Sequence, residues 1–95
     1  MSQVIRRHLF YSGNVQGVGF RWTCRRISGR YAVVGFVQNR SDGRVELVAD
    51  GEKREVQAFL DEIAEQMRKN IEDVTDCSDQ QLIVETSFAQ FSIRR

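Results

Sequence analysis

Two strand-like runs separated by an Asp-Gly pair constrain the fold of this chain more than any other feature of its sequence. Residues 35–40 (GFVQNR) and 44–50 (RVELVAD) flank Ser41, Asp42 and Gly43. Asp-Gly is a strong signal for a tight hairpin, because such turns need positive φ angles that glycine adopts readily. The two runs are therefore predicted to be neighbouring antiparallel strands, with Asp42 as a turn former.

Further elements of both types lie on either side of this hairpin. Residues 4–12 alternate between apolar and polar side chains, as expected of a strand that faces a core on one side. One helical stripe of apolar residues begins near Arg21, and a second covers residues 52–70. The predicted core-facing residues are Ile5, Leu9 and Tyr11 of the strand, Phe20, Cys24, Ile27, Tyr31 and Val34 of the first helix, and Val56, Phe59, Leu60, Ile63 and Met67 of the second.

The C-terminal part contains two more strand-like runs, 71–77 and 82–95, and in the second Phe91 and Ile93 are predicted to point inward. The resulting order, βαββαβ with one extra strand, predicts an α+β fold of the ferredoxin-like type, an antiparallel sheet with two helices on one face. A chain of 95 residues has the length of a single domain, 1–95. This architecture hosts many unrelated functions, so the function has to be inferred from the loops.

Composition and charge argue against several classes of function. A net charge of +1 does not indicate a large positively charged surface that would bind nucleic acid or a membrane. No apolar run approaches the ~20 residues that span a bilayer. The N-terminus has no apolar signal core, so a cytoplasmic location is expected. The protein is also expected to be a monomer. Cys24, Cys77 and His8 show no metal-ligand spacing. Both cysteines are predicted to be buried thiols. His8 is predicted to be a surface or packed residue. The expected binding partner is a small molecule.

The glycine-rich sequence GNVQGVGFR, residues 13–21, joins the first strand to the first helix. A turn through Gly17 and Gly19 directs successive amides around one point, with the positive end of the helix dipole behind them. Arg21 adds a planar guanidinium suited to two phosphate oxygens. Neither G-x-x-x-x-G-K-[ST] nor G-x-G-x-x-G is present, so nucleotide binding is not indicated. Taken alone, the segment is explained equally well by an anion site or by a structural turn with a solvated Arg21.

A second stretch, GFVQNRSDGRVE at 35–46, distinguishes these interpretations and places Asn39 18 residues after Arg21. Together with GNVQGVGFR it resembles the acylphosphatase family, whose members show G-x-V-Q-G-V-G-F-R and later G-[WFY]-V-x-N-x-x-D-G-x-V-E. The resemblance is detailed from Tyr11 to Gly51 and returns at FSIRR, which is similar to the family's terminal F-x-I-R.

The resemblance implies an enzyme that hydrolyses the carboxyl-phosphate bond of small-molecule acyl phosphates, without metal or cofactor. It implies that Arg21 holds the phosphate and neutralises developing charge, and that Asn39 holds the attacking water. The backbone amides expected to cradle the phosphate are those of Val15, Gln16, Gly17, Val18, Gly19 and Phe20. The identity of the base stays open, because an amide is too weak to take the proton; a phosphate oxygen of the substrate is one candidate.

Two departures from the family pattern concern loop geometry. Ala32 stands where the family usually has a glycine, so either it tolerates an unfavourable turn or the first helix ends differently. The segment RKNIEDV, after the second helix, lacks the family's usual Gly-Pro. Arg25, Arg26 and Arg30 are expected to form a solvated face of the first helix.

Two other functions are compatible with the element order. The same domain occurs as a part of larger carbamoyl-phosphate-using maturation proteins, where it does not serve as a standalone phosphatase. One alternative for this chain is therefore a non-catalytic accessory module that binds acyl or carbamoyl phosphate. RNA-recognition domains share the βαββαβ order, but the third strand, RVELVAD, lacks the aromatic residues that stack on bases. Hydrolysis of an acyl phosphate would separate the enzyme from both.

Overall fold

The elements along the chain follow the predicted βαββαβ order and add two strands near the C-terminus, where the sequence predicted one. A computed structural model of the protein describes residues 4–79, 82–83 and 85–95. Their strands and helices are β1 (Val4–Gly13), α1 (Phe20–Ser28), β2 (Val33–Asn39), β3 (Val45–Glu52), α2 (Lys53–Gln66), β4 (Ile71–Asp76), β5 (Leu82–Ile83) and β6 (Phe91–Arg94). Neither helix has the length and apolar character that crossing a membrane requires.

The strands form one sheet in the order β4-β1-β3-β2-β6, and β5 also pairs with β1. β1 pairs antiparallel with β3, β4 and β5, and β2 pairs antiparallel with β3. The predicted α+β architecture is confirmed. The sheet is not antiparallel throughout, because β6 pairs with β2 in parallel. Periodicity in the sequence does not report strand direction, so this pair was not foreseen.

The turn between β2 and β3 is closed as predicted. The amide of Arg40 donates to the carbonyl of Arg44 across 2.8 Å. Asp42 accepts hydrogen bonds from the amide and the guanidinium of Arg44, which hold the pKa of its carboxyl below the ordinary value. Asp42 is therefore a turn former. The register leaves Asn39 at the end of β2, opposite Val45 of β3.

The core lies between the sheet and the two helices. Most of the predicted helical residues are buried, and burial raises the pKa of the Cys24 thiol, so this side chain is a thiol rather than a thiolate. The buried core residues are Leu9, Tyr11, Val15, Phe20, Cys24, Ile27, Val33, Val37, Val45, Leu47, Ala49, Val56, Phe59, Leu60, Ile63, Met67 and Phe91.

Both helices are shorter than predicted. α1 ends at Ser28, where the amide of Gly29 donates to carbonyls of the last turn. Tyr31 therefore lies in a turn and Val34 in β2, although both continue the apolar spacing. The second helix ends at Gln66 rather than at residue 70. Apolar spacing alone could not locate these ends, because residues after a helix can still face the same core.

Three local expectations are resolved by this geometry. Within the described ranges no residue other than glycine has a positive φ angle, so Ala32 occupies no strained turn, and the C-cap of α1 is Gly29 instead. The turn that lacks Gly-Pro is closed by the amide of Asn70, which donates to the carbonyl of Met67 across 2.9 Å. Arg25, Arg26 and Arg30 are exposed as expected. Two of them also bond α2, Arg26 through Gln66 and Arg30 through Glu62.

Some predictions for the C-terminal half were wrong. Cys77 is exposed, because it follows β4 at the edge of the sheet. Phe91 is buried as predicted, but Ile93 is 37% exposed because it borders a surface pocket. The predicted strand 82–95 is divided into β5 and β6. Residue 84 of that prediction lies outside the described residues.

The face of the sheet opposite the helices carries a buried carboxylate. Asp50 of β3 is fully buried and lies opposite Arg6 of β1. The Arg6 guanidinium donates to both carboxylate oxygens, across 2.7 and 2.8 Å. The Thr86 hydroxyl donates to the same carboxylate across 2.6 Å. The segment containing Thr86 and Phe88 thereby packs on this face, where the Arg6 guanidinium also lies over the Phe88 ring.

Replacing Arg6 should destabilise the protein much more than replacing its neighbour Arg7. Arg6→Ala leaves the buried Asp50 carboxylate without its counter-charge, and we expect a loss of about 3 kcal/mol in the free energy of unfolding. Arg7 pairs at 2.6 Å with Asp76, whose side chain is 45% exposed, so that water can solvate this carboxylate when Arg7 is removed. For Arg7→Ala we therefore expect a loss under about 1 kcal/mol. Chemical denaturation of both variants measures the difference, and equal losses would contradict the role of the Asp50 pair.

Candidate active site

A pocket of about 200 Å³ lies where β1 passes into α1. The loop between them, the end of β2 and the C-terminal strand meet there. Among the described residues that line it, none is acidic and two are arginines, so the pocket favours anions. The lining residues are Val15, Gly17, Gly19, Phe20, Arg21, Trp22, Asn39, Ile93 and Arg95.

The loop from residue 14 to residue 19 gives the pocket an exposed helix terminus. Gly17 and Gly19 have φ angles of 77° and 78°, which side-chain-bearing residues rarely adopt. A Cβ atom at either glycine would meet no heavy atom within 4 Å, so the space above the loop is open. Gly19 is the N-cap of α1, no side chain caps it, and the first turn contains no acidic residue. The positive end of the helix is therefore not neutralised by these groups, as an anion site requires.

The loop is anchored at both ends and tied to the hairpin. Val15 and Phe20 are buried in the core. The Gln16 side-chain amide donates to the carbonyls of Arg40 and Arg44, across 2.8 and 2.9 Å. This contact fixes the glycine loop relative to the turn that follows Asn39. The Gln16 side chain therefore has a structural role and does not line the pocket.

Arg21 is half-buried in the first turn of α1. One of its terminal nitrogens, Nη1, donates to the carbonyl of Arg94 in β6, across 3.3 Å. This hydrogen bond connects the guanidinium to the C-terminal strand and restrains its orientation. Because a guanidinium has five N–H donors, Arg21 retains donors for an anion in the pocket.

Asn39 has a polar atom that the rest of the protein leaves unsatisfied. Its side-chain oxygen Oδ1 is buried, and the described residues offer it no hydrogen-bond partner. An unsatisfied buried group of this kind costs about 1–3 kcal/mol, so a water molecule or ligand is the expected partner. This atom lies in a residue that lines the pocket together with Arg21.

Six of the eight site residues predicted from the sequence line this pocket. The other two, Gln16 and Val18, contribute side chains elsewhere: Gln16 bonds the hairpin, and Val18 is exposed. The six are Val15, Gly17, Gly19, Phe20, Arg21 and Asn39.

Sequence reasoning did not identify Trp22, Ile93 and Arg95 as pocket residues. Trp22 offered one usable signal, because it is apolar but lies off the helical stripe that contains Phe20 and Cys24. An apolar side chain that does not face the core is available for binding. No comparable signal existed for Ile93 or Arg95, whose positions depend on the pairing of β6 with β2.

The common catalytic side chains lie elsewhere. The only histidine, His8, is half-buried on β1, and its Nε2 atom lies at hydrogen-bond distance, 2.6 Å, from a carboxylate oxygen of Glu46 rather than lining the pocket. Cys24 is buried in the core. The polar groups that the described lining residues offer are backbone groups, two guanidiniums, one side-chain amide and the indole N–H of Trp22. Such a set can bind and orient an anion and a water molecule, but it contains no strong general base or nucleophile.

The acylphosphatase family model matches residues 7–93, and the chain belongs to this family of enzymes. It is 38% identical over 92 residues to the acylphosphatase of Actinobacillus succinogenes, an alignment that covers 97% of this chain and 100% of that protein. Other curated acylphosphatases align over 56–60 residues, and the chain spans 62–67% of their length. The resemblance read from the two sequence motifs is confirmed.

Solved structures give the same assignment. The crystal structure of acylphosphatase from Bacillus subtilis matches with a TM-score of 0.80 and 26% identity, over 96% of this chain and 99% of that one. This confirms the ferredoxin-like fold. Full-length HypF, in its phosphate- and nucleotide-bound form, matches with a TM-score of 0.77 and 25% identity. That match covers 100% of this chain but 12% of HypF.

Proposed function

We propose that this enzyme hydrolyses acyl phosphates to a carboxylate and inorganic phosphate in the pocket at the start of α1. The observation that carries the proposal is the unsatisfied Oδ1 atom of Asn39, in a pocket shared with Arg21 and the uncapped end of α1. The Oδ1 atom of Asn39 is suited to bind a water molecule, and Arg21 and the end of α1 are suited to bind an anion. Hydrolysis of a phosphoryl compound needs both side by side.

In this proposal the phosphoryl group sits on the amides of residues 15–20. The open space above Gly17 and Gly19 admits its oxygens close to the backbone, and the helix dipole favours their negative charge. Arg21 donates to two of these oxygens and stabilises the charge that develops as the bond to the leaving group breaks. Its hydrogen bond to the carbonyl of Arg94 keeps the guanidinium in place.

Asn39 holds the water that attacks phosphorus. Its Oδ1 atom accepts a hydrogen bond from this water, which satisfies the buried oxygen and orients a lone pair toward the phosphoryl group. A bond forms between the water oxygen and phosphorus, and the bond between phosphorus and the acyl oxygen breaks. The acyl group departs as a carboxylate, a weak base that needs no protonation, so positioning and charge stabilisation supply most of the catalysis.

The proton released by the water goes to an oxygen of the phosphoryl group in this scheme. The described lining residues include no carboxylate, histidine or thiol that could take it. The products are then a carboxylate and dihydrogen phosphate. Every atom of the substrate and the water is accounted for without an additional acid or base.

The alternative function is that of an accessory module that binds an acyl or carbamoyl phosphate without hydrolysing it. The match to a 12% portion of HypF favours this alternative, because there a domain of the same fold is part of a much larger chain. Both functions require phosphate binding in the pocket. They differ in turnover, since an accessory module would bind phosphate without releasing carboxylate.

We expect the purified protein to hydrolyse benzoyl phosphate, and the rate to be unchanged by a chelator of divalent cations. The reason is that the proposed charge stabilisation comes from amides and Arg21, and the described part of the chain contains no carboxylate cluster that could hold a metal ion. Inorganic phosphate should inhibit competitively, because it occupies the same loop. Steady-state kinetics with and without chelator make the measurement. Loss of activity that a divalent cation restores would contradict the mechanism, and phosphate binding without turnover would favour the accessory module.

Asn39→Ala should lower kcat at least about a hundredfold, the effect of removing one preorganised hydrogen-bonding group. The competitive inhibition constant of inorganic phosphate should change little, because Asn39 contacts the water rather than the anion. Asn14→Ala is the matched control, since Asn14 is exposed in the same loop and does not line the pocket. Equal loss of phosphate affinity and turnover would instead assign Asn39 a structural role.

Arg21→Lys should lower kcat/KM by more than about tenfold, which corresponds to about 1.4 kcal/mol. Lysine conserves the charge but presents it as a point on a flexible stem, whereas the guanidinium donates in a fixed plane to two oxygens. Arg25→Lys, one turn later on the exposed face of α1, is the matched control. A thermal melt establishes that both variants are folded. Retention of more than about a tenth of the activity would show that the backbone loop suffices for phosphate recognition.

A further inference from the structure

Exposed apolar side chains are concentrated at the pocket. Among the described residues, four large apolar side chains are clearly exposed: Trp22 (62%), Val74 (43%), Val18 (40%) and Ile93 (37%). Trp22 and Ile93 line the pocket, and Val18 lies between two glycines that line it. Only Val74 lies elsewhere, on the edge strand β4. Clustering of this kind marks a binding surface rather than incidental exposure.

The indole of Trp22 is held in place by the protein. The Arg26 guanidinium lies over its ring, 5.4 Å from the ring centroid, at a distance that permits a cation–π interaction. Arg26 is in turn anchored by a hydrogen bond of 2.7 Å to the side-chain oxygen of Gln66 in α2. Trp22 is therefore a supported aromatic surface beside the pocket, and most of it is still open to solvent.

We propose that Trp22, with Ile93, binds the acyl group of the substrate and makes the enzyme prefer flat apolar acyl groups, such as aromatic ones, over acetyl. This inference rests on the proposed function, because it takes the phosphoryl group to sit on the glycine loop. The acyl group is joined to that phosphoryl group through one oxygen, so it must lie against the rest of the same pocket. There the apolar surface is that of Trp22 and Ile93.

Arg95 also lines the pocket and provides the contrasting possibility. A guanidinium at this position would favour an acyl group that carries a second carboxylate, such as succinyl. The two residues therefore predict opposite preferences. Burial of an apolar ring against Trp22 favours benzoyl phosphate, whereas pairing with Arg95 favours succinyl phosphate.

The preference is measured as the ratio of kcat/KM for benzoyl phosphate to that for acetyl phosphate. Trp22→Ala should lower this ratio about tenfold, equivalent to about 1.4 kcal/mol, because the ring loses its apolar contact. Trp22→Phe should restore most of the ratio. Val74→Ala is the matched control, an exposed apolar side chain that is remote from the pocket, and it should leave the ratio unchanged.

Three outcomes would overturn the inference. The first is an unchanged ratio in Trp22→Ala. The second is an equal loss on both substrates together with weaker inhibition by inorganic phosphate, which would mean that Trp22 supports the loop rather than the acyl group. The third is a preference of the wild-type enzyme for succinyl phosphate over benzoyl phosphate, which would assign acyl recognition to Arg95.

A binding experiment separates failure of this inference from failure of the proposed function. Trp22 is the only tryptophan in the sequence, so intrinsic fluorescence reports directly on its ring. Benzoylphosphonate and acetylphosphonate carry a carbon–phosphorus bond that the enzyme cannot hydrolyse. We expect benzoylphosphonate to change the fluorescence and to bind about tenfold more tightly than acetylphosphonate, again about 1.4 kcal/mol. Equal affinities would overturn the inference, whereas this difference in a protein without turnover would overturn only the hydrolytic function.

Discussion

The pairing of both β1 and β2 with β3 is the constraint on which the rest of the structure depends. Val45 of β3 lies between Tyr11 of β1 and Asn39 of β2. The end of β1, from which the glycine loop starts, is therefore brought to the same edge of the sheet as the end of β2. The Gln16 side chain then joins the loop to the hairpin turn. A shift of one residue in the β2–β3 register would move the Asn39 side chain to the other face of the sheet and away from the loop.

The chemistry of the pocket follows from what surrounds it. The described lining residues provide positive charge from two arginines and from the helix terminus, with no carboxylate to oppose it. The acidic residues of the neighbouring elements are occupied elsewhere: Asp42 in the turn, Glu46 with His8, and Asp50 with Arg6. This separation of charge leaves a positively charged pocket in a protein whose net charge is only +1. A substrate with a good leaving group suits such a pocket, because its hydrolysis can be accelerated mainly by binding and orientation.

Sequence patterns predicted the elements better than their ends. Hydrophobic periodicity identified both helices and the strands of the hairpin, because each buries one face against the core. It extended α1 to Tyr31 and Val34, since residues beyond a helix can face the same core from a turn or strand. It also placed Ile93 inside, by alternation with Phe91, although Ile93 borders the pocket. Periodicity indicates which residues share an apolar face, but it does not indicate which of them a neighbouring element covers.

The sequence by itself determined the family, the βαββαβ order and the local chemistry of the glycine loop. These depend on neighbours along the chain: a left-handed conformation at Gly17 and Gly19, a turn at Asp42, and an arginine in the first turn of a helix. Tertiary structure decided which distant side chains share a pocket. The Oδ1 atom of Asn39 is buried without a described partner at the end of the paired strand β2, and Trp22 and Ile93 line one pocket because β6 adds to the sheet in parallel with β2. Burial and strand pairing are long-range properties, so no local motif encodes them.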